Sequence, residues 1–175
     1  MHIDENLQQK LKDIELLIMD VDGTMTDSCV YYSAKGEEFK KFSIRDGMGI
    51  ELLKLGNIKT AIVTTEDTPI VLARAKKLRI EEVITGSRNK GNAILELSKK
   101  LSIQLEKIAY IGDDVNDLPA IRIVGFSACP QNAVDIIKEN VDYICINKGG
   151  DGAIREISEL ILKSQNKLTT LPENW

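Results

Sequence analysis

Carboxylates recur in this chain where apolar runs end. The stretch LLIMDVDGTMTD, over 16–27, leads apolar residues straight into Asp20 and Asp22, with Gly23 and Asp27 close behind. KIAYIGDDVND, over 107–117, repeats the arrangement with Asp113, Asp114 and Asp117. Two other polar groups sit in equivalent places: Thr64 and Thr65 follow KTAIV, and Lys90 opens the helical pattern KGNAILELSKKL. Carboxylates within about 4 to 6 Å of one another raise each other's pKa, so such a cluster calls for a cation. Mg²⁺ suits it, being hard and oxygen-seeking and usually bound by a couple of carboxylates, waters and phosphate oxygens. A transition metal would ask for imidazole or thiolate, and this chain has one histidine, His2, and three cysteines, Cys29, Cys129 and Cys145, without CxxC spacing. A carboxylate beside Mg²⁺, with a hydroxyl and an ammonium aimed at one point, is equipment for phosphoryl transfer.

On that chemistry Asp20 is the nucleophile, attacking phosphorus in line to give an aspartyl-phosphate. Asp22 protonates the leaving oxygen and later takes a proton from the hydrolytic water. Thr64 offers its hydroxyl to the phosphoryl oxygens, and Lys90 neutralises charge on Asp20 and the transferring group. Asp113 completes the metal shell, with Asp114 and Asp117 behind it orienting waters or Lys90. His2 lies in a segment expected to fray, so no Ser/His/Asp triad or histidine base is expected. Each piece alone has an ordinary reading: a DxD is common on surfaces, a lysine at a helix start is usually solvated, and GDD often caps a helix through Asp114 or Asn116. Their coincidence at successive strand ends favours a site.

The elements that must position these groups alternate. Apolar runs at 15–19, 59–63, 82–84, 107–111, 125–128 and 143–146 fit buried parallel strands. Helical patterns fall between and after them, at 47–55, 69–78, 90–101, 117–123, 132–140 and 152–163. This predicts an α/β fold, a doubly wound parallel sheet with ligands at the carboxyl ends of the strands. The interval 25–42 breaks the alternation: VYYSAKGEEFKKF reads as a β-hairpin inserted after the first strand. There is no repeat and no linker, so 1–175 is expected to be a single domain, with 166–175 an extended tail. Trp175 at its end either lies loose or docks on a neighbouring subunit.

Composition narrows the classes. With 175 residues, 43% hydrophobic and 29% charged, the chain suits one soluble core. A net charge of -4 argues against nucleic acid, and the absence of an apolar run of about 18 residues or a signal-like start argues for a cytoplasmic protein off the membrane. The cysteines read as structural thiols.

DVDGTMTD, the threonine after AIV, the spaced lysine and GDDVND together resemble the four motifs of the haloacid dehalogenase (HAD) superfamily of phosphohydrolases, over nearly the whole chain. The short interval from DGTMTD to RDGMGI, without room for a cap domain, and the late KGGDGAIRE resemble the 3-deoxy-D-manno-octulosonate 8-phosphate (KDO 8-phosphate) phosphatase group. Its relatives act on nine-carbon sialic-acid-type sugar phosphates, 2-keto-3-deoxynononate (KDN) or N-acylneuraminate 9-phosphate, or form a domain of some sialate synthetases. The resemblance implies a capless, HAD-like homotetramer whose hairpins pack into an intersubunit barrel. It also implies Mg²⁺ held by the Asp20 carboxylate, the Asp22 backbone carbonyl and Asp113. The expected activity is Mg²⁺-dependent hydrolysis of an acidic eight- or nine-carbon keto sugar phosphate; the alternative is a catalytically idle structural domain of the synthetase-associated type.

Substrate choice is expected at the second motif. The octulosonate enzymes carry Thr-Gly-Arg there, whereas this chain has Thr64, Thr65 and Glu66, followed by Arg74 and Lys77. Glutamate with a later Arg and Lys looks like the nine-carbon enzymes, and Thr65 departs from both patterns. Arg74 and Lys77 are candidate substrate contacts or a solvated helix face. Arg155 either faces substrate or pairs in its helix with Glu156 or Glu159. Lys148, Gly149 and Gly150 form a loop near the sixth strand's end, and Arg45 and Asp46 border the site, Asp46 reading most simply as a helix cap. A receiver-type signalling domain is disfavoured, because the third strand ends in Thr85 and Gly86 without an aspartate.

Overall fold

The computed structural model describes residues 5–173, apart from the side chain of Glu38; His2 and Trp175 lie outside the described residues. The order is α1 (Glu5–Leu11), β1 (Leu16–Met19), β2 (Thr26–Ser33), β3 (Gly36–Phe42), α2 (Ile44–Leu55), β4 (Lys59–Val63) and α3 (Pro69–Leu78). It continues with β5 (Glu82–Ile84), α4 (Lys90–Leu101), β6 (Ile108–Ile111), α5 (Leu118–Ile121), β7 (Phe126–Cys129), α6 (Asp135–Lys138), β8 (Tyr143–Ile144) and α7 (Ala153–Ser164). The large sheet is parallel with order β5-β4-β1-β6-β7-β8, and β2 and β3 form a separate antiparallel pair. This is the expected doubly wound α/β sheet with a hairpin insertion and no cap. Its order reverses between β1 and β6, which is where such sheets take their ligands.

A strand buried on both faces sends alternate side chains into two layers. Leu17 and Met19 of β1 join Ala109 and Ile111 of β6 in a core under α1, α2 and α7, while Leu16, Ile18, Ile108 and Tyr110 pack against α4 and α5. Helix α7 brings Ile154, Ile157 and Ile161 to the first core, one turn apart along its apolar stripe. Among the described residues, no helix is long and apolar enough to cross a membrane.

Several boundaries differ from expectation for local reasons. Helix α1 is an addition: its polar run offers the core little beyond Leu11 and a partly buried Leu7. Helix α2 starts earlier than 47, because the Ser43 hydroxyl accepts from the Asp46 amide and caps it. Asp46 is therefore not the cap of its own helix. Its carboxylate accepts instead from the Gly152 and Arg155 amides at 3.3 and 2.9 Å, capping α7 from across the fold. The helical pattern at 117–123 is preceded by a 3₁₀ turn over Val115–Asp117, and that at 132–140 shrinks to α6. Strand β8 stops at Ile144 because Glu156 takes the Ile146 and Asn147 amides out of any ladder. Beyond α7 the tail is irregular, with Leu171 packed on the core and Leu168 exposed.

Candidate active site

The first turn is built around one carbonyl. Val21 O accepts from the amides of Thr24, Met25 and Thr26, while the Asp20 amide continues the sheet to Ile111 O at 3.0 Å. Gly23 takes φ +89°, and a β-carbon there would stand 1.9 Å from Asp113 Oδ2, so only glycine lets this turn lie against the end of β6. Thr24 Oγ1 donates to Asp113 Oδ1 at 3.2 Å across that junction.

Lys90 joins the two acidic motifs. Asn89 caps α4 by accepting from the Asn92 amide, and the Lys90 side chain, 1% exposed, runs inward from the first turn of that helix. Its Nζ donates to Asp20 Oδ1 at 2.5 Å and to Asp117 Oδ1 at 2.6 Å. Asp117, also buried, accepts further from Tyr110 OH at 2.5 Å and from the amides of Asp113 and Asp114 at 2.8 and 3.1 Å. Both its oxygens are thus engaged in holding Lys90 and the turn after β6. Asp114 caps that turn through the Val115 amide.

Electrostatically the group lacks positive charge. Burial, then Asp117, push the Asp20 carboxyl well above the ordinary carboxylate range, against the pull of Lys90. Burial and Asp117 push Asp113 up to about 7. Burial lowers the Lys90 pKa, but Asp20 and Asp117 more than offset it and raise it overall. Burial, then Asp117 and Asp20, also hold the Tyr110 phenol well above its usual value. Carboxylate oxygens of Asp20, Asp113 and Asp117 lie within 4.8 Å of one another. With Asp117 spoken for, Asp20 and Asp113 are the hard oxygen donors that face a common point, and a divalent cation such as Mg²⁺ fits them.

That arrangement fixes a pH dependence. A carboxyl raised in the folded state contributes stability that is full below its ordinary range and lost as pH rises through the folded value. In chelator, the thermal midpoint is expected to fall between pH 5 and pH 8, and added Mg²⁺ to raise it more at pH 8 than at pH 5. Differential scanning calorimetry checks this; an equal Mg²⁺ effect at both values would remove Asp113 as the titrating ligand.

Asp22 stands outside this acidic group. Its Oδ1 receives Lys40 Nζ from β3 at 2.5 Å. Thr64 is buried at the end of β4, its Oγ1 accepting from the Glu66 amide, and its carbonyl accepts from Ser87. Thr65 Oγ1 accepts from Asn116 Nδ2 at 2.9 Å, which ties the second motif to the fourth. Glu66 and Lys77 are exposed. Arg74 donates to Ser43 O at 2.8 Å with its guanidinium carbon 5.2 Å from the Phe42 ring centre, and Arg155 Nε donates to Glu159 at 2.7 Å. The structure therefore gathers Asp20, Lys90, Asp113 and Asp117, and engages Arg74 and Arg155 in other contacts.

The loop after β8 reaches the first turn by backbone alone. A β-carbon on Gly149 would lie 1.8 Å from Gly23 O, and the Gly150 amide donates to Thr24 O at 3.1 Å. Gly149→Ala must displace one loop or the other. It is expected to lower stability by about 1–3 kcal/mol and turnover at least roughly tenfold, read by thermal melts and phosphate release.

Tyr110 and Lys40 went unread in the sequence, where Asn116 figures only as a possible helix cap and not as the donor to Thr65. Tyr110 had a signal, since a phenol in an aliphatic buried strand needs a partner. Lys40 had a weaker one, as one of two adjacent lysines in FKKF.

A family profile described as haloacid dehalogenase-like hydrolase matches residues 51–157. The chain is 40% identical to the 3-deoxy-D-manno-octulosonate 8-phosphate phosphatase of Haemophilus influenzae over 161 residues, covering 92% of this chain and 89% of that one. Among solved structures it is similar to the Moraxella catarrhalis 3-deoxy-D-manno-octulosonate 8-phosphate phosphatase in complex with magnesium, phosphate and KDO. The TM-score is 0.90 at 44% identity, covering 94% of each chain. It is also similar to the cobalt-bound Haemophilus influenzae phosphatase, at TM-score 0.88 and 40% identity, covering 90% of this chain and 92% of that one.

Proposed function

This chain belongs to the haloacid dehalogenase-like hydrolases, and from that premise we propose that it is a Mg²⁺-dependent phosphatase of KDO 8-phosphate. The observation that carries the reading is the buried Asp20–Lys90–Asp117 chain beside Asp113 at the sheet's switch point. Similarity to enzymes of that name, one of them holding magnesium, phosphate and KDO, supports the substrate and the metal.

The residues that would hold Mg²⁺ are Asp20, Asp113 and the Asp22 backbone carbonyl; the ion supplies positive charge to the phosphoryl oxygens. Lys90 fixes Oδ1 of Asp20, leaving Oδ2 to attack phosphorus. The bond from Oδ2 to phosphorus forms as the bond from phosphorus to the sugar oxygen breaks, and Asp22 gives that oxygen its proton. Asp22 then takes a proton from water, whose oxygen attacks phosphorus; the Asp20 bond breaks and inorganic phosphate leaves. Thr64 and Lys90 meet the phosphoryl oxygens in both steps. Asp117 acts through Lys90, and Asp114 through the turn that carries Asp113.

The nine-carbon reading keeps one support, the sequence Thr64, Thr65, Glu66, in which no arginine follows the threonine. A phosphate-release panel of KDO 8-phosphate, KDN 9-phosphate and N-acetylneuraminate 9-phosphate, with Mg²⁺ and with chelator, tests the proposal. KDO 8-phosphate is expected to give the highest kcat/KM, and chelator to abolish release. A nine-carbon substrate tenfold better would move the assignment to that class, and metal-independent release would overturn the site.

The hairpin supports assembly into the homotetramer. Tyr31, Tyr32 and Phe39 are large, exposed side chains on a two-stranded sheet, a surface suited to burial between copies. Light scattering is expected to return four times the chain mass.

A further inference from the structure

The side chain of Lys40 is buried where the hairpin has little need of a charge. Along β3, Phe39 is 65% exposed and the Lys41 side chain largely so, whereas the side chain of Lys40, between them, is 1% exposed. A buried ammonium is unfavourable unless paired and hydrogen-bonded. Its partner is the first turn: Nζ donates to Asp22 Oδ1 at 2.5 Å, with Glu37 Oε1 farther off at 3.7 Å. The other oxygen of the same carboxylate, Asp22 Oδ2, is buried and has no hydrogen-bond partner among the described residues. A carboxylate pinned at one oxygen has little freedom left at the second.

We propose that Lys40 is the positioning residue of Asp22: from the hairpin it fixes Oδ1 so that Oδ2 is presented to the oxygen that gains or loses a proton. Lys40 touches neither phosphorus nor the leaving group, and it acts through Asp22 alone. The inference rests on the assignment of Asp22 to proton transfer made above.

The test separates the two chemical steps with 4-nitrophenyl phosphate, whose leaving group departs without a proton. Forming the aspartyl-phosphate then needs no help from Asp22, whereas breaking it still requires a proton to be taken from water. Rapid mixing of Asp22→Asn, Lys40→Met and the double variant with this substrate and Mg²⁺ gives the burst of 4-nitrophenolate and the steady rate after it. Both single variants are expected to keep a burst within about threefold of the wild-type rate constant while the steady rate falls roughly 10²-fold. The double variant should be no more than about threefold slower than Asp22→Asn, because residues acting as a unit are not additive. KM for KDO 8-phosphate is expected to change little. Burst amplitude counts competent sites, so partial misfolding lowers amplitude without altering the ratio of the two phases.

If Asp22→Asn keeps both phases, the assignment of Asp22 fails. If Asp22→Asn shows the signature and Lys40→Met slows both phases alike, or if the two effects multiply in the double variant, Lys40 is not the positioning residue. Should Lys40→Met give no burst, Lys40→Gln is read in the same way; no burst from either makes Lys40 a structural residue and overturns the proposal.

Discussion

Asp20→Asn is expected to lower phosphate release by at least about 10³-fold while the protein stays folded. The amide matches the carboxylate in shape but cannot form the phosphoaspartyl bond at a useful rate. Stability should hold or rise, because Asp20 is a charge that burial and Asp117 already disfavour. Removing it leaves Lys90 paired with Asp117 at 2.6 Å. Phosphate release and a thermal melt, each with and without Mg²⁺, check both halves. A folded Asp20→Asn that turned over at near the wild-type rate would remove Asp20 as nucleophile. A collapse of the melt would show that its charge was structural.

The opposite balance is expected for Lys90→Met. This change removes the cation and leaves Asp20 and Asp117 buried side by side, with the Tyr110 hydroxyl still donating to one of them. Breaking a buried pair by deleting one partner typically destabilises by about 3–5 kcal/mol, and activity should be lost with it. The defect has a sign in pH. Carboxyls forced together in the folded state hold protons more tightly than in the unfolded chain, so the variant should regain stability as pH falls. Urea titrations at pH 8 and pH 5 read this directly. A variant equally destabilised at both values would mean that packing of the lysine stem, and not charge, was lost.

How much of this could be read beforehand depended on the range of each interaction. The strands were legible because burial on both faces demands unbroken apolar runs. The range 59–63 was read to the residue, as were the helices at 69–78 and 90–101, each with a capping residue just ahead. Asp20, Lys90, Asp113 and Asp117 were visible as chemistry because each stands beside a strand end or helix start whose place in the sheet was already implied. Partners on separate elements were not legible. Nothing near Asp46 says that it caps a helix more than a hundred positions on. Nothing near Arg74 says that its guanidinium turns to Ser43 O and Phe42. Lys40 faces inward because its strand's side chains alternate, but FKKF leaves open which lysine is chosen. Helix α1 was missed because a short polar helix with a single fully buried side chain has almost no periodic signal.

The seating of Gly149 and Gly150 on the turn after β1 has a bearing on how the protein is made. The turn that carries Asp20 and Asp22 is synthesised more than a hundred residues before the backbone that closes over it, since residues 20–24 meet residues 149–150. Strand β6, the neighbour that brings Asp113, arrives between them. A nascent chain on the ribosome therefore holds its carboxylates without the surroundings that orient them, and becomes a competent enzyme only once that loop has been made. Premature stops anywhere before that loop should release inert fragments in place of weakened phosphatases.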